Sequence, residues 1–98
     1  MALASVIGVG TTHYGALQST FAELVIEAAK QALDDAGLGP DDIDAFYLGN
    51  YAGDSFIDQN HLAAYAASVI GLKGVPSSRL EGACASGSLA LRQGILAI

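Results

Sequence analysis

The sequence predicts an α/β fold in which three parallel strands alternate with helices in the order βαβαβ. Strand-like runs occupy residues 4–9, 43–48 and 78–82, and two segments with helical periodicity lie between them. Strands that alternate with helices usually pair in parallel and are joined by right-handed crossovers. We therefore expect a parallel sheet with helices packed on it.

Local signals predict the first strand and the first helix. Residues 4–9 form a mostly apolar run bounded by glycines, which is typical of a strand buried on both faces of a parallel sheet. Thr20 precedes Glu23 by three residues in the capping-box pattern, and Gly37 supplies a C-terminal stop. The helix between them has one apolar face, made of Phe21, Leu24, Val25, Ala28, Ala32, Leu33 and Ala36.

The alternation of elements continues in the second half of the chain. Turn residues at 39–42 precede the second strand, 43–48. A polar loop over 51–60 leads to a second helix, whose apolar face stops at Gly71. A proline and a serine then break the chain before the third strand, 78–82.

Composition limits the class of protein. Ninety-eight residues allow one domain at most, and 52% hydrophobic with 14% charged residues excludes a disordered chain. A small domain that stands alone should have a more polar surface, so we expect further structure to cover this one. The net charge of −6, with four basic residues, argues against nucleic acid as a partner. We find no signal peptide or membrane span, and therefore expect no membrane partner.

Cysteine and histidine usage restricts the chemistry further. The single cysteine, Cys84, excludes an intrachain disulfide and a cysteine-cluster metal site, and it fits a reducing, cytoplasmic location. The two histidines, His13 and His61, lie far apart without ligand spacing. We predict no metal site, and we interpret His13 as a loop residue and His61 as a helix-start residue.

Candidate chemistry concentrates where the third strand ends. Residues 79–87, Arg-Leu-Glu-Gly-Ala-Cys-Ala-Ser-Gly, predict a strand, a tight turn of small residues and a cysteine where a helix begins. Ligands of open α/β sheets gather at the carboxyl ends of strands, and a helix N-terminus favours a thiolate and can hold an oxyanion. Cys84 is therefore a candidate acyl-accepting nucleophile. The alternative interpretation is a small buried hydrophobic residue, which is a common role of cysteine.

Two further features of the sequence receive structural interpretations. Glu81 is expected to form an ion pair with Arg79, with Arg92 or with a partner subunit. The helix that begins at Cys84 is rich in alanine and glycine, which predicts close packing inside a larger body.

Three stretches of the chain resemble the thiolase superfamily. Residues 81–91, Glu-Gly-Ala-Cys-Ala-Ser-Gly-Ser-Leu-Ala-Leu, are similar to its nucleophile motif, in the branch of the archaeal acetoacetyl-CoA thiolases and the sterol-carrier-protein-type thiolases. Residues 6–15 resemble the first strand and following loop of that branch, and residues 42–50 resemble its second strand. The stretches follow the order of the family and span the chain.

The resemblance implies a layered αβαβα fold, of which residues 1–98 are an N-terminal fragment of the N-terminal domain. It implies an acyl-CoA acyltransferase of the acetyl-CoA acetyltransferase type, in which Cys84 takes the acyl group as a thioester for Claisen condensation or thiolytic cleavage. Acyl-CoA and CoA are then substrates, and no cofactor is bound covalently. The other catalytic groups of the family follow residue 98, so this chain alone should be inactive.

The resemblance also implies partners and a metabolic setting. Members of the family form dimers or tetramers, in which loops comparable to 51–60 meet another subunit, and the archaeal branch suggests an accessory protein. Fatty acid metabolism or the mevalonate pathway is the expected setting.

Three alternative functions remain open. A ketoacyl-synthase-like or hydroxymethylglutaryl-CoA-synthase-like condensing enzyme shares the cysteine, although Ala85-Ser86-Gly87 favours a thiolase. A thiolase-like subunit of a larger assembly could lack catalysis. A small nucleotide-binding module is the weakest alternative, because His13 stands at the third glycine position of the dinucleotide fingerprint that begins at Gly8.

Overall fold

The computed structural model describes residues 4–98 and has the predicted α/β class. Two 3-10 turns, Pro40–Asp42 and Ala83–Ala85, lie within the described residues beside the helices and strands. The helices and strands are α1 (Phe21–Ala36), β1 (Phe46–Gly49), α2 (Gly53–Ile57), α3 (Leu62–Ile70), β2 (Ser77–Leu80) and α4 (Ser86–Ala97). None of these helices is long and apolar enough to cross a membrane.

The sheet consists of β1 and β2, which pair in parallel from Phe46 opposite Ser77 to Gly49 opposite Leu80. Helices α2 and α3 form the connection between the two strands. Successive side chains of a strand face opposite sides of its sheet. Accordingly, Phe46 lines a cavity with residues of α1 and α3, whereas Tyr47 lines a groove against α4. The sheet therefore lies between α3, which is backed by α1, and α4.

Helix α1 begins and ends as the sequence predicts. The Glu23 N–H donates to the Thr20 hydroxyl and the Thr20 N–H donates to the Glu23 carboxylate, both at 3.1 Å. The hydrogen bond from the Thr20 backbone N–H, with a smaller contribution from the Thr20 side chain, lowers the pKa of the Glu23 carboxyl, because it stabilises the charged form. Gly37 adopts the left-handed conformation, φ 71°, that ends many helices.

The core of the described residues forms around α3. This helix packs on α1 and on both strands, and Phe21 of α1 stacks on Tyr65 of α3 with ring centroids 6.0 Å apart. The helix ends at Gly71, as predicted. Its alanines leave room for the neighbouring elements to approach closely. The buried apolar residues are Leu62, Ala63, Ala66, Ala67 and Leu72.

The prediction of a first strand over residues 4–9 is wrong, so the described sheet has two strands and not three. The backbone bonds to side chains of α1 instead. The Val9 N–H donates to the Asp35 carboxylate at 3.0 Å, and the Thr11 N–H donates to the Gln31 side-chain carbonyl at 3.1 Å. An amide that bonds to a helix side chain is not free to pair with a strand. The apolar side chains of this run remain exposed.

Smaller differences concern the boundaries of three elements. Strand β1 begins at Phe46, because the Ile43 N–H closes the preceding turn on the Pro40 carbonyl at 3.3 Å. The loop predicted over 51–60 contains the short helix α2. The helix predicted from Cys84 begins two residues later, because a 3-10 turn comes first.

Candidate active site

Cys84 lies in the turn that joins β2 to α4, at the carboxyl end of the strand, as the sequence predicts. It is the middle residue of the 3-10 turn Ala83–Ala85, and its thiol is free and exposed. Among residues 4–98, the exposed thiol contradicts the interpretation of Cys84 as a small buried hydrophobic residue. The exposed thiol is open to an incoming electrophile.

The residue before the cysteine has an uncommon backbone conformation. Ala83 has φ 51°, in the left-handed region, where residues other than glycine are rare. Ala83 begins the 3-10 turn that lies between the end of β2 and the start of α4. It also sets the direction in which the Cys84 peptide leaves the turn.

Ser86 ties the two ends of this turn together. Its side chain is buried, and its hydroxyl accepts a hydrogen bond from the Gly82 N–H at 3.0 Å and donates one to the Ala83 carbonyl at 2.7 Å. The hydroxyl thus bridges two backbone groups that precede Cys84. This bonding role of Ser86 is not among the sequence-based predictions, although a serine two residues after a candidate nucleophile, in a turn of small residues, is a signal for side-chain to backbone bonding.

The expected ion pair of Glu81 with Arg79 or Arg92 is wrong. The Glu81 carboxylate accepts a hydrogen bond from the Ala83 N–H at 2.7 Å. That amide is two residues away, so the short side chain reaches it without a long-range partner. Salt bridges in the described part of the chain join Lys30 to Asp34 and Arg79 to Asp54.

Arg79 fixes the segment that follows β1 to the end of β2. Its guanidinium donates to the Tyr51 carbonyl at 2.7 Å, to the Asn50 carbonyl at 3.3 Å and to the Asp54 carboxylate at 3.1 Å. The hydrogen bond from Arg79 lowers the pKa of the Asp54 carboxyl, because it stabilises the carboxylate. The end of β2 is therefore bonded to the segment that follows β1.

Gly49 allows the first turn of α4 to lie directly against the end of β1. A Cβ at this position would meet the Ser86 carbonyl oxygen and would lie 2.8 Å from the Gly87 Cα. Because only glycine lacks a Cβ, this close approach requires glycine at position 49. The contact depends on Gly49 of β1 and not on a small residue of α4, so the predicted burial of that helix inside a larger body stays a prediction.

The histidines lie in the positions that the sequence predicts for them. His13 is exposed in the irregular segment before α1, and His61 is exposed at the N-terminal end of α3. The backbone N–H of His61 donates to the side-chain carbonyl of Gln59 at 3.0 Å. No hydrogen bond among residues 4–98 joins either imidazole to Cys84. Within the same range, no group of three or more His, Cys, Asp or Glu residues could hold a metal ion.

The thiolase N-terminal domain family matches residues 4–98. The chain belongs to the thiolase family. Two archaeal relatives of this thiolase-family chain are named acetyl-CoA acetyltransferase. The protein from Methanocaldococcus jannaschii is 45% identical over 93 residues, and the protein from Methanothermobacter thermautotrophicus is 45% identical over 95 residues. The matches cover 94% and 96% of this chain, but 24% and 25% of the relatives.

A solved structure supports the same fold. A tetronic acid condensing enzyme matches with a TM-score of 0.68 and 30% identity, over 79% of this chain and 25% of that chain. The thiolase-family chain thus spans about a quarter of the length of the proteins that it resembles.

Proposed function

We propose that this chain carries the nucleophile of a thiolase-type acyl-CoA acyltransferase and that Cys84 is the acyl acceptor. The proposal depends on one observation: the family's Cys-Ala-Ser-Gly element forms a hydrogen-bonded turn that exposes Cys84 at the carboxyl end of β2. The names of the archaeal relatives support acetyl-CoA as the acyl donor. CoA and acyl-CoA are then substrates, with no covalently bound cofactor.

The reaction that we propose is covalent acyl transfer. The Cys84 thiolate attacks the thioester carbonyl of acetyl-CoA and forms a new carbon–sulfur bond. The bond to the CoA sulfur breaks, and CoA leaves as a thiolate that takes up a proton. The oxyanion that forms on the carbonyl needs aimed N–H donors, of which the backbone N–H of Cys84 can supply one.

The remaining catalytic groups belong, in this proposal, to residues outside this chain. Cys84 has no hydrogen bond to a histidine among residues 4–98, and a thiol needs a base to become a thiolate. A second base must take the proton from the acetyl α-carbon before condensation. We propose that residues 1–98 form an N-terminal part of a larger enzyme and do not turn over substrate by themselves.

The test uses the full-length protein that contains this chain. We expect incubation with acetyl-CoA to add an acetyl group to the peptide that contains Cys84, detected by mass spectrometry after acid quenching. The Cys84→Ala variant should show no adduct, and a Ser88→Ala variant on the same helix should acylate like the parent. An adduct that persists in Cys84→Ala would place the nucleophile elsewhere and refute the assignment.

A condensing enzyme is the second candidate function, because the structural neighbour is named as one. Both candidates form the acyl-cysteine, so the second half-reaction separates them. A thiolase returns acetyl-CoA when acetoacetyl-CoA and CoA are supplied, whereas a condensing enzyme that cannot catalyse thiolysis does not. A full-length protein that forms no adduct at all would instead support a non-catalytic subunit of a larger assembly.

We further propose an oligomer in which the segment after β1 contacts a second subunit. Tyr51 and Phe56 of this segment are 64% and 84% exposed, and Arg79 holds its backbone in place. Large exposed aromatic side chains on a fixed segment are typical of protein interfaces.

A further inference from the structure

The turn before Cys84 is held in a conformation that its own sequence disfavours. Ala83 is left-handed at φ 51°, where the Cβ of an L-residue lies too close to the following carbonyl oxygen. A non-glycine residue keeps such a conformation only where the surrounding structure imposes it. Groups around Ala83 must therefore supply this constraint.

Two side chains bond to the backbone on both sides of Ala83. The Ser86 hydroxyl accepts from the Gly82 N–H and donates to the Ala83 carbonyl, and the Glu81 carboxylate accepts from the Ala83 N–H at 2.7 Å. Ser86 is buried with 5% of its surface exposed, so both of its hydrogen bonds are shielded from water. The Ser86 carbonyl also lies so close to Gly49 that a Cβ at position 49 would overlap it.

These bonds bear directly on the cysteine, because Cys84 follows Ala83 with no residue between them. A change in the φ and ψ angles of Ala83 rotates the Cys84 peptide and moves its side chain relative to α4. A nucleophile must stand within about 3–3.5 Å of the carbon that it attacks, with its orbitals aligned. The geometry of the turn is thus a determinant of the reaction rate.

We propose that Ser86 is a positioning residue, which acts together with Glu81 to hold Ala83 left-handed and so to direct Cys84 toward the acyl group. The proposal rests on the proposed function of Cys84. It assigns no contact between Ser86 and the substrate. Ser86 acts through the peptide units that precede the cysteine.

The test is a double-mutant cycle on the full-length protein. Ser86→Ala removes both hydrogen bonds of the hydroxyl, and Ala83→Gly removes the steric cost of the left-handed conformation. If Ser86 acts through Ala83, the loss caused by Ser86→Ala should shrink in the Ala83→Gly background. We expect Ser86→Ala to lower the rate constant of Cys84 acylation at saturating acetyl-CoA about 10-fold or more, with little change in KM.

The coupling between the two sites is the result that a merely structural role would not produce. In the Ala83→Gly background we expect the loss from Ser86→Ala to fall to about 3-fold or less. Ser88→Ala on the same helix is the control and should leave the rate constant unchanged. An equal loss from Ser86→Ala in both backgrounds, no loss in either, or an equal loss in Ser88→Ala would overturn the proposal.

A second measurement separates this proposal from the proposed function. The rate of alkylation of Cys84 by iodoacetamide depends on the presentation of the thiol but not on acyl-CoA chemistry. If the parent protein forms no acetyl adduct, the proposed function fails, and the same cycle measured by alkylation still decides the role of Ser86. If Ser86→Ala does not fold, Glu81→Ala replaces it in the cycle, because Glu81 is exposed and bonds to the same turn.

Discussion

Replacement of Gly49 by alanine tests whether the contact between β1 and α4 positions the turn that holds Cys84. The added Cβ would meet the Ser86 carbonyl oxygen and would lie 2.6 Å from the Ser86 carbonyl carbon and 2.8 Å from the Gly87 Cα. All three are backbone atoms, so no side-chain rotation can relieve the overlap. Strand and helix must therefore move apart.

The size of the effect follows from these distances. Carbon atoms in contact stand about 3.5–4.0 Å apart, so the separation between β1 and α4 must grow by about 1 Å. Overpacking of a well-packed interface costs about 1–3 kcal/mol of the free energy of unfolding. A displacement of about 1 Å near reacting groups can lower a rate about 100-fold, and we expect a loss of that order in Cys84 acylation for Gly49→Ala.

The assay combines urea unfolding of the full-length protein with the rate of acetyl adduct formation at Cys84. Gly94→Ala is the matched control, because Gly94 faces the same strand but its added Cβ would lie 4.0 Å from the Tyr47 ring. This control should be neutral, or more stable by up to about 1 kcal/mol because alanine favours a helix. If Gly49→Ala and Gly94→Ala have the same free energy of unfolding and the same rate of Cys84 acylation, the contact does not position the turn.

Two further predictions concern stability away from the cysteine. Thr20→Ala removes the capping box of α1 and should lower the free energy of unfolding, measured by urea titration, by about 1 kcal/mol. The control Ser19→Ala, at the neighbouring position, should leave the free energy of unfolding unchanged. Equal unfolding midpoints for the two variants would contradict this prediction. Arg79 lowers the pKa of Asp54 in the folded protein. The ion pair therefore stabilises the fold at any pH above the pKa of Asp54 in the unfolded chain. This stabilisation is lost as the pH falls through the lower pKa that Asp54 has in the folded protein. Asp54→Asn should therefore be less stable than the parent at neutral pH but equally stable in strong acid, and a stability difference that does not change with pH would count against the ion pair.

Elements whose signals are local could be predicted from the sequence. The capping box at Thr20, the left-handed stops at Gly37 and Gly71, and the placement of Cys84 after a strand all agree with the structure. Each depends on residues within a few positions of one another. Local hydrogen bonds and backbone preferences therefore carry enough information to predict them.

Two of the failed predictions concerned the partner that a strand or a charged group would meet. The apolar run over residues 4–9 has the composition of a buried strand, yet Asp35 and Gln31 of α1 bond to amides of the segment that includes it. Glu81 bonds to an amide of its own turn, while Arg79 bonds to Asp54, which lies 25 residues earlier in the sequence. Composition does not state which of several available partners a polar group will meet.

The sequence by itself determined the α/β class, the main helix limits and the candidate nucleophile, because periodicity, capping residues and the motif around Cys84 are properties of neighbouring residues. Only the tertiary structure showed that Ser86 and Glu81 form hydrogen bonds to the backbone just before the cysteine. It also showed that the start of α4 lies directly against β1 because Gly49 has no side chain. These contacts depend on how strand, turn and helix meet in space. Local sequence is thus enough to identify the candidate nucleophile, whereas the way in which its thiol is presented depends on packing.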